Sequence, residues 1–519
     1  MNDFPILTVL WVVPLLGAIG IAFGPRGVIA KQAALVVSLA TLVIGVAAAV
    51  QFDRDGSGFQ LEETHTWIEA FGVHYALGLD GLGLLLVLLT VALVPIVVLA
   101  AWNDSPDDEC KPWFAWALAL EALSLVVFLA TDVFLFYVVF EATLIPAYFL
   151  IGGFGRAKRS AAALKFLMFQ LGGGLVLLGS VIGLYVVSAD EGSPSYLFDD
   201  LQQLDISTSA GRWLFAGFFI AFAIKAPLFP VHTWLADTTE QATPPTSVLL
   251  VCVLDKIGTF GMLRFCLGLF PEASEWATPL VVVLALVSIV YGAFVAIGQD
   301  DILRLIGLTS LSHFGFITLG IFVFTNQGAN GSILYMVNHG VATAALFLVA
   351  GFVIRRRGTT LISRMGGLEK VTPVAAGLFL VAALATAGLP GLSQFVSEIL
   401  VLISAFDYRW YVGAIAVTGI VLAAIYALWA YQKMFTGPKD AALDAEVSAG
   451  GEGVVDLGRR ELAVLAPLML ALVLFGFYPA PLLDVANPFS EQLLEHTGVH
   501  DDGPRVPAEA AHDGQSEDH

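Results

Sequence analysis

Residues 82 to 101 read LGLLLVLLTVALVPIVVLAA, 20 residues in which Thr90 carries the only hydrogen-bonding side chain. A helix of that length covers about 30 Å, the hydrocarbon thickness of a bilayer. Inside hydrocarbon every unpaired backbone group costs several kcal/mol, which excludes open sheets and loops. Such a run therefore crosses a membrane as an α-helix. The whole chain supports the same reading: of 519 residues, 58% are hydrophobic and 13% are charged, about half the charged share of a soluble protein.

Comparable runs lie near 5–23, 29–50, 78–100, 113–130, 132–152, 162–187, 212–235, 246–268, 277–297, 302–324, 331–354, 372–404, 410–434 and 461–480. The expected fold is an all-α polytopic membrane protein with about 14 transmembrane helices. The first run follows Asp3 with no basic leader, so it is expected to remain as a helix. Loops after odd-numbered spans hold most of the 24 basic residues, among them Arg26, Lys111, Arg156, Arg355 and Arg459. The opposite loops and the tail hold Arg54, Arg212, Arg409 and Arg505. The basic side is expected to be cytoplasmic, with both termini outside. The net charge of −20 then resides largely in outer segments such as QFDRDGSGFQLEE and in the tail HDDGPRVPAEAAHDGQSEDH, too polar to pack, the last part of a polar acidic tail expected over 481–519. A solvated tail, not a metal site, is the expected role of its histidines.

Three cysteines give no pattern for a disulfide, zinc or iron–sulfur site, since Cys110 is alone in a loop and Cys252 and Cys266 are 14 residues apart on one span. No GxGxxG fingerprint and no haem histidine pair is present. The glycine-rich QLGGGLVLLG at 170–179 lies within span six and reads as close helix packing rather than a phosphate loop.

Four basic residues fall within spans: Lys165, Lys225, Lys256 and Arg264. Each costs ~2.5–3.5 kcal/mol near a helix centre, so each needs a reason to be there. Lys165 and Arg264 are near span ends and are expected to snorkel to the headgroups. Lys225 and Lys256 are mid-span and need partners inside the protein. Glu121, Glu141 and Glu398 lie at comparable depth, as do His313 and His339. A lone histidine in a helix is more often a satisfied core residue; several lysines, glutamates and histidines at one depth make a proton relay. Burial disfavours the charged form of such a group and a neighbouring opposite charge restores it, so a lysine beside a movable carboxylate becomes a switchable carrier. The plainer alternative is a static ion pair.

AFAIKAPLFPVHTW, residues 221 to 234, places Lys225 just before two prolines. Pro227 removes the helix donor to the Ala223 carbonyl, and Pro230 the donor to that of Ala226. Span twelve repeats the pattern: Gly388, Pro390 and Gly391 interrupt it before Glu398, and Pro390 frees the carbonyl of Thr386. Two broken, charged helices five spans apart point to two five-helix repeats, inverted because five is odd, with helices 7 and 12 discontinuous. The expected division is 1–112 for helices 1–3, 113–268 for the first repeat, 277–436 for the second, 437–480 for a loop and helix 14, and 481–519 for the tail.

LFYVVFEATLIPAYFLIGGFG, FAIKAPLFPVHTWLAD, LDKIGTFGMLRF, SLSHFGFITLGIF, NHGVATAALFLVAG and GLPGLSQFVSEILVL resemble the antiporter-like subunits of respiratory complex I, the proton-translocating NADH:quinone oxidoreductase. The resemblance runs from about span three to span thirteen. Glu398 places the chain in the branch with glutamate in the broken twelfth span, where the sister branches and the cation/proton antiporter subunits have lysine.

The resemblance implies that Glu141 and Lys225 form the ion pair of an intake half-channel, that Lys256 is the central connecting lysine, and that His313 and His339 relay protons. It makes Glu398 the exit-side carrier. Glu121 and Asp132 match acidic positions that recur before span five. His232 matches the family's PLHTWLPDAH signature, which here has Ala236 in place of a proline and Thr239 in place of a histidine. The implied activity is outward movement of one proton per cycle, coupled at long range to electron transfer elsewhere. This chain would hold no cofactor and no metal; FMN, iron–sulfur clusters and quinone would belong to partner subunits. Implied partners are the antiporter-like subunits L and N, the small membrane subunits and lipid, with no nucleic acid, in the plasma (inner) membrane of a bacterium. Two other readings are a subunit of a multisubunit cation/proton antiporter, which shares the fold, and a passive spacer whose charges are relics. Against the spacer, buried charges without a use cost stability.

Overall fold

The computed structural model describes residues 4–24, 26–104, 109–192, 194–438 and 454–498. The first elements are α1 (Ile6–Phe23), α2 (Val28–Gln51), the strands β1 (Gln60–Ile68) and β2 (Val73–Leu79), α3 (Gly81–Ala100) and α4 (Lys111–Leu129). There follow α5 (Val133–Ala142), α6 (Leu144–Phe154), α7 (Arg159–Asp190), the single turn α8 (Phe198–Leu201), α9 (Thr208–Lys225) and α10 (Thr233–Gln241). The chain continues through α11 (Pro244–Val248), α12 (Lys256–Gly261), α13 (Pro271–Ile297), α14 (Ile302–Phe322) and α15 (Asn326–Arg357). It closes with α16 (Pro373–Thr386), α17 (Ser393–Tyr408), α18 (Trp410–Phe435), α19 (Arg459–Phe477) and α20 (Ala480–His496).

Twelve helical segments among the described residues are long and apolar enough to cross a membrane. The pairs α9–α10 and α16–α17 are the broken elements between them. Local chemistry sets the ends. Asp80 accepts from Gly83 N to start α3, Asp132 from Leu135 N to start α5, and Asp301 from Leu303 N and Arg304 N to start α14. Gly358, at φ 65°, stops α15 in the left-handed conformation. Pro146 withholds the donor that the Ala142 carbonyl would take, and the chain breaks between α5 and α6 at Thr143.

The segment 245–267 is buried throughout and is not a uniform α-helix: α12 lies between two wider π turns, Leu249–Leu254 and Met262–Leu267. Every residue of α14 but Arg304 is also buried, and 94% of the apolar stretch of α15 is buried, against 28% for those of α2 and α19. The three elements that carry Lys256, His313 and His339 thus form the inner layer. Lipid-like surfaces belong to the outer helices, where Val43, Phe23 and Leu470 are exposed.

Three expectations change. The polar segment before span three is partly β1, paired antiparallel with β2 and docked on α1 through Glu63, which accepts from Leu7 N at 2.8 Å, and through Tyr75 OH, 2.9 Å from Trp11 Nε1. The tail expected over 481–519 begins as the amphipathic helix α20, with Val485, Ala486, Phe489, Leu493 and Leu494 buried; residues 499–519 lie outside the described part. Arg264 does not snorkel. It is 5% exposed, paired with the buried Asp80 and ringed by Phe59, Phe198, Phe260 and Phe489, with centroids 4.7–5.5 Å away. Phe260 is one turn away on the same segment; Phe59, Phe198 and Phe489 come from distant segments and close over the span end. Lys165, also expected at the headgroups, meets Asp237 at 2.6 Å, and Asp237 is shared with Arg304.

Candidate functional site: a buried file of titratable groups

Lys225 is the last residue of α9, so its ammonium sits at the negative end of that half-helix. It is fully buried, 3.4 Å from Thr143 Oγ1 and 4.7 Å from the centre of the Phe140 ring. The break that follows is well satisfied. Leu228 N donates to the Ala223 carbonyl at 2.9 Å, so that group does not wait for water, and Trp234 Nε1 donates to the Ile224 carbonyl at 3.0 Å. Phe229 N donates to Ser288 Oγ at 2.9 Å, tying the break to α13.

Glu141 projects from α5 towards α7, where Gly174 makes room for it: a Cβ there would fall 1.7 Å from Glu141 Oε1. A Cβ on the neighbouring Gly173 would fall 3.2 Å from Ile224 Cδ1 of α9. The glycine run on span six therefore allows close helix packing, as expected, and also houses a carboxylate. Glu141 and Lys225 are not in ion-pair contact among the described residues, and Glu141 Oε1 has no hydrogen-bond partner there. The pair implied by the resemblance is open in this structure.

Lys256 Nζ lies 2.5 Å from His339 Nδ1 and 4.4 Å from the centre of the Phe314 ring. His339 Nε2 reaches Ser310 Oγ at 3.2 Å, and its ring faces His313 with centroids 5.2 Å apart. His313 Nδ1 is 2.8 Å from Tyr335 OH, whose hydroxyl donates to Glu398 Oε1 at 2.7 Å. Gln394 Nε2 contacts His313 Nδ1 at 2.8 Å and Tyr335 OH at 3.0 Å, and donates to the Thr386 carbonyl at 3.4 Å. That carbonyl is the one Pro390 frees, so the broken helix presents its loose acceptor to the site. Gly388, at φ 71°, repeats the role of Gly174: a Cβ would fall 1.8 Å from Glu398 Oε2. Tyr426 OH closes the cluster 3.3 Å from His313 Nε2.

The structure thus joins Lys256, His339, His313 and Glu398 in one buried file and adds Tyr335, Gln394, Ser310 and Tyr426. Five expected residues stand apart from it: Glu141 and Lys225, described above, and three more. Asp132 is fully buried, with one oxygen capping α5 and the other accepting from His74 N at 2.8 Å, which fixes the hairpin to the helix. His232 lies in the break after Lys225, stacked on Phe229 and edge-on to Tyr291. Glu121 is 1% exposed on α4, and neither oxygen has a partner among the described residues.

A family described as NADH:quinone oxidoreductase/Mrp antiporter, transmembrane, matches residues 130–423, more than half of the chain, and takes in every residue of the buried file but Tyr426. The chain belongs to this family. Among similar members, the "NADH-quinone oxidoreductase subunit M" of Mycobacterium tuberculosis is 47% identical over 98% of this chain and 97% of its own length. The protein of the same name from Rhodobacter capsulatus is 35% identical over 95% and 96%. That name agrees with the branch expected from Glu398. Of solved structures, a chain of respiratory complex I from Thermus thermophilus with bound NADH matches with a TM-score of 0.86 and 32% identity, over 95% of this chain and all of that one. A chain of the Mrp complex from Dietzia has a TM-score of 0.82 at 23% identity and shows the shared fold alone.

Proposed function

We propose that this chain acts as the M-type subunit of a bacterial proton-translocating NADH:quinone oxidoreductase, moving protons outward through its buried file. The observation that carries the reading is the run of contacts from Lys256 through His339, His313 and Tyr335 to Glu398, which crosses four spans without reaching the surface. Each member can hold or pass a proton. The Lys256 ammonium donates to neutral His339 Nδ1, whose Nε2–H is held by Ser310. Tyr335 has one hydroxyl proton and two acceptors within reach, Glu398 and His313, so rotation of one O–H bond passes a proton step along the file.

In this reading Glu141 and Lys225 load the file and Glu398 releases to the outer face, with Glu121 a further buried acid within the first repeat. The grouping of 113–268 and 277–436 into inverted repeats places each broken helix, α9–α10 and α16–α17, beside one half of the path. Electron transfer belongs to partner subunits with FMN, iron–sulfur clusters and quinone. The neighbours in the membrane are the antiporter-like subunits L and N and the small membrane subunits, with both termini of this chain outside. The antiporter alternative is weaker, because the relatives covering the full chain at 47% and 35% identity are named for the oxidoreductase.

The test is proton pumping by vesicles carrying Lys225→Ala or Glu141→Ala, with NADH:quinone turnover recorded on the same membranes. Collapse of both in an assembled complex supports an obligatory path. Wild-type pumping and turnover in both variants would reduce the charges to structural ones.

A further inference from the structure

The file runs by hydrogen bonds and one ring contact, His339–His313, from Lys256 onward, yet nothing so far links it to Lys225. A third buried charge lies between them. Asp255 is fully buried, and neither of its oxygens has a hydrogen-bond partner among the described residues. An ionised carboxylate left so is expensive unless charges nearby hold it. It sits at the junction between the first π turn and α12, where its N–H bonds back five residues to the Leu250 carbonyl at 2.9 Å. Wider turns of this kind concentrate at functional sites because they re-aim a side chain.

Its direction follows from Gly258, three residues on and so on the same helix face. Gly258 lies against the end of α9 so closely that a Cβ would fall 2.4 Å from Ala226 N and 2.6 Å from the Phe222 carbonyl oxygen. Ala226 directly follows Lys225, so the face that carries Asp255 looks onto the break. The charges acting on Asp255 are Lys225 first and Lys256 second. Of the two carboxylates acting on Lys225, Asp255 acts more strongly than Glu141. On its own element the facing groups are Lys256 and Cys252.

We propose that Asp255 is a proton-holding station between Lys225 and Lys256. In the first step an N–H bond of the Lys225 ammonium breaks and an O–H bond forms on Asp255, leaving a neutral amine and a neutral carboxylic acid. In the second, that O–H bond breaks and an N–H bond forms on the Lys256 amine, restoring the carboxylate and creating an ammonium beside His339. No electrons change hands. Lys225 then has two alternating carboxylate partners: Glu141 on the loading side and Asp255 on the delivery side. This inference rests on the proposed function above.

The experiment uses the whole complex in native membranes, with Asp255→Asn, Asp255→Glu and, as the control for the broader reading, Lys256→Ala. Assembly is read on native gels and by NADH oxidation with an artificial acceptor; quinone turnover and pumping are then compared. D255N is expected to lose quinone turnover and pumping by roughly a hundredfold, the low end of what a positioned proton-transfer group contributes. D255E is expected to keep most of both. Wild-type pumping in D255N, with K256A inactive, overturns the inference and leaves the broader reading standing; wild-type pumping in K256A overturns the broader reading itself. Should D255N fail to assemble, the wild-type complex is treated during turnover with a hydrophobic carbodiimide, which modifies buried carboxyls when they are protonated. An adduct on Asp255 supports the station; labelling of Glu398 without Asp255 overturns it.

Discussion

The Lys256 side-chain nitrogen and His339 Nδ1 are 2.5 Å apart, a hydrogen bond that fixes the buried segment 245–267 to α15. A glutamine at 339 can still accept a hydrogen bond but cannot pass a proton onward. His339→Gln is therefore expected to leave the complex assembled while quinone turnover and pumping both fall. The check is turnover and acidification on one vesicle preparation, with native gels for assembly. A variant that fails to assemble, at the ~1.5–3 kcal/mol a hydrogen bond to a charged group contributes, would instead mark the contact as structural.

Among the described residues, Tyr335 supplies the only hydroxyl within hydrogen-bond reach of both His313 and Glu398. Tyr335→Phe keeps the ring against Phe316 and removes the switchable O–H. Pumping and turnover are expected to drop together, and stability by about 1–3 kcal/mol for the acceptors left unpaired. Thermal denaturation of the purified complex, set beside the vesicle assay, separates the two effects.

Gly174 and Gly388 hold open the spaces that Glu141 and Glu398 occupy. Gly174→Ala is expected to push the Glu141 carboxylate away from α7 and slow coupled turnover. Gly388→Ala adds backbone strain at φ 71° and is expected to be the more destabilising of the two. Turnover normalised to assembled complex, with thermal stability alongside, ranks them.

Breaking the buried Arg264–Asp80 pair strands a charge under four aromatic rings. Arg264→Ala is expected to cost ~3–5 kcal/mol and to lower the yield of assembled complex. Asp80→Asn keeps a cap on α3, so its loss should be the smaller. Yields on native gels decide.

The spans and most charged members of the file are legible in the sequence because a lysine, glutamate or histidine stands out in an apolar run. Tyr335, Gln394 and Tyr426 are not: a tyrosine in a membrane helix looks like packing, and only the fold brings three distant spans to one point. Asp255 is hidden for a different reason, since an aspartate beside a lysine reads as a local pair. Arg264 looks like an end residue until β1–β2 and α20 are known to cover it. The α20 pattern is present in Val485, Ala486, Phe489 and Leu493, at helical spacing, but the polar composition of the tail masks it.

The central claim is that one buried path of protons runs through Lys256, and Lys256→Ala tests it most directly. Proton uptake and release per NADH oxidised are measured on vesicles whose complex is intact by native gel and by artificial-acceptor activity. The account predicts that quinone turnover and proton translocation are both lost. Wild-type stoichiometry in that variant would contradict it.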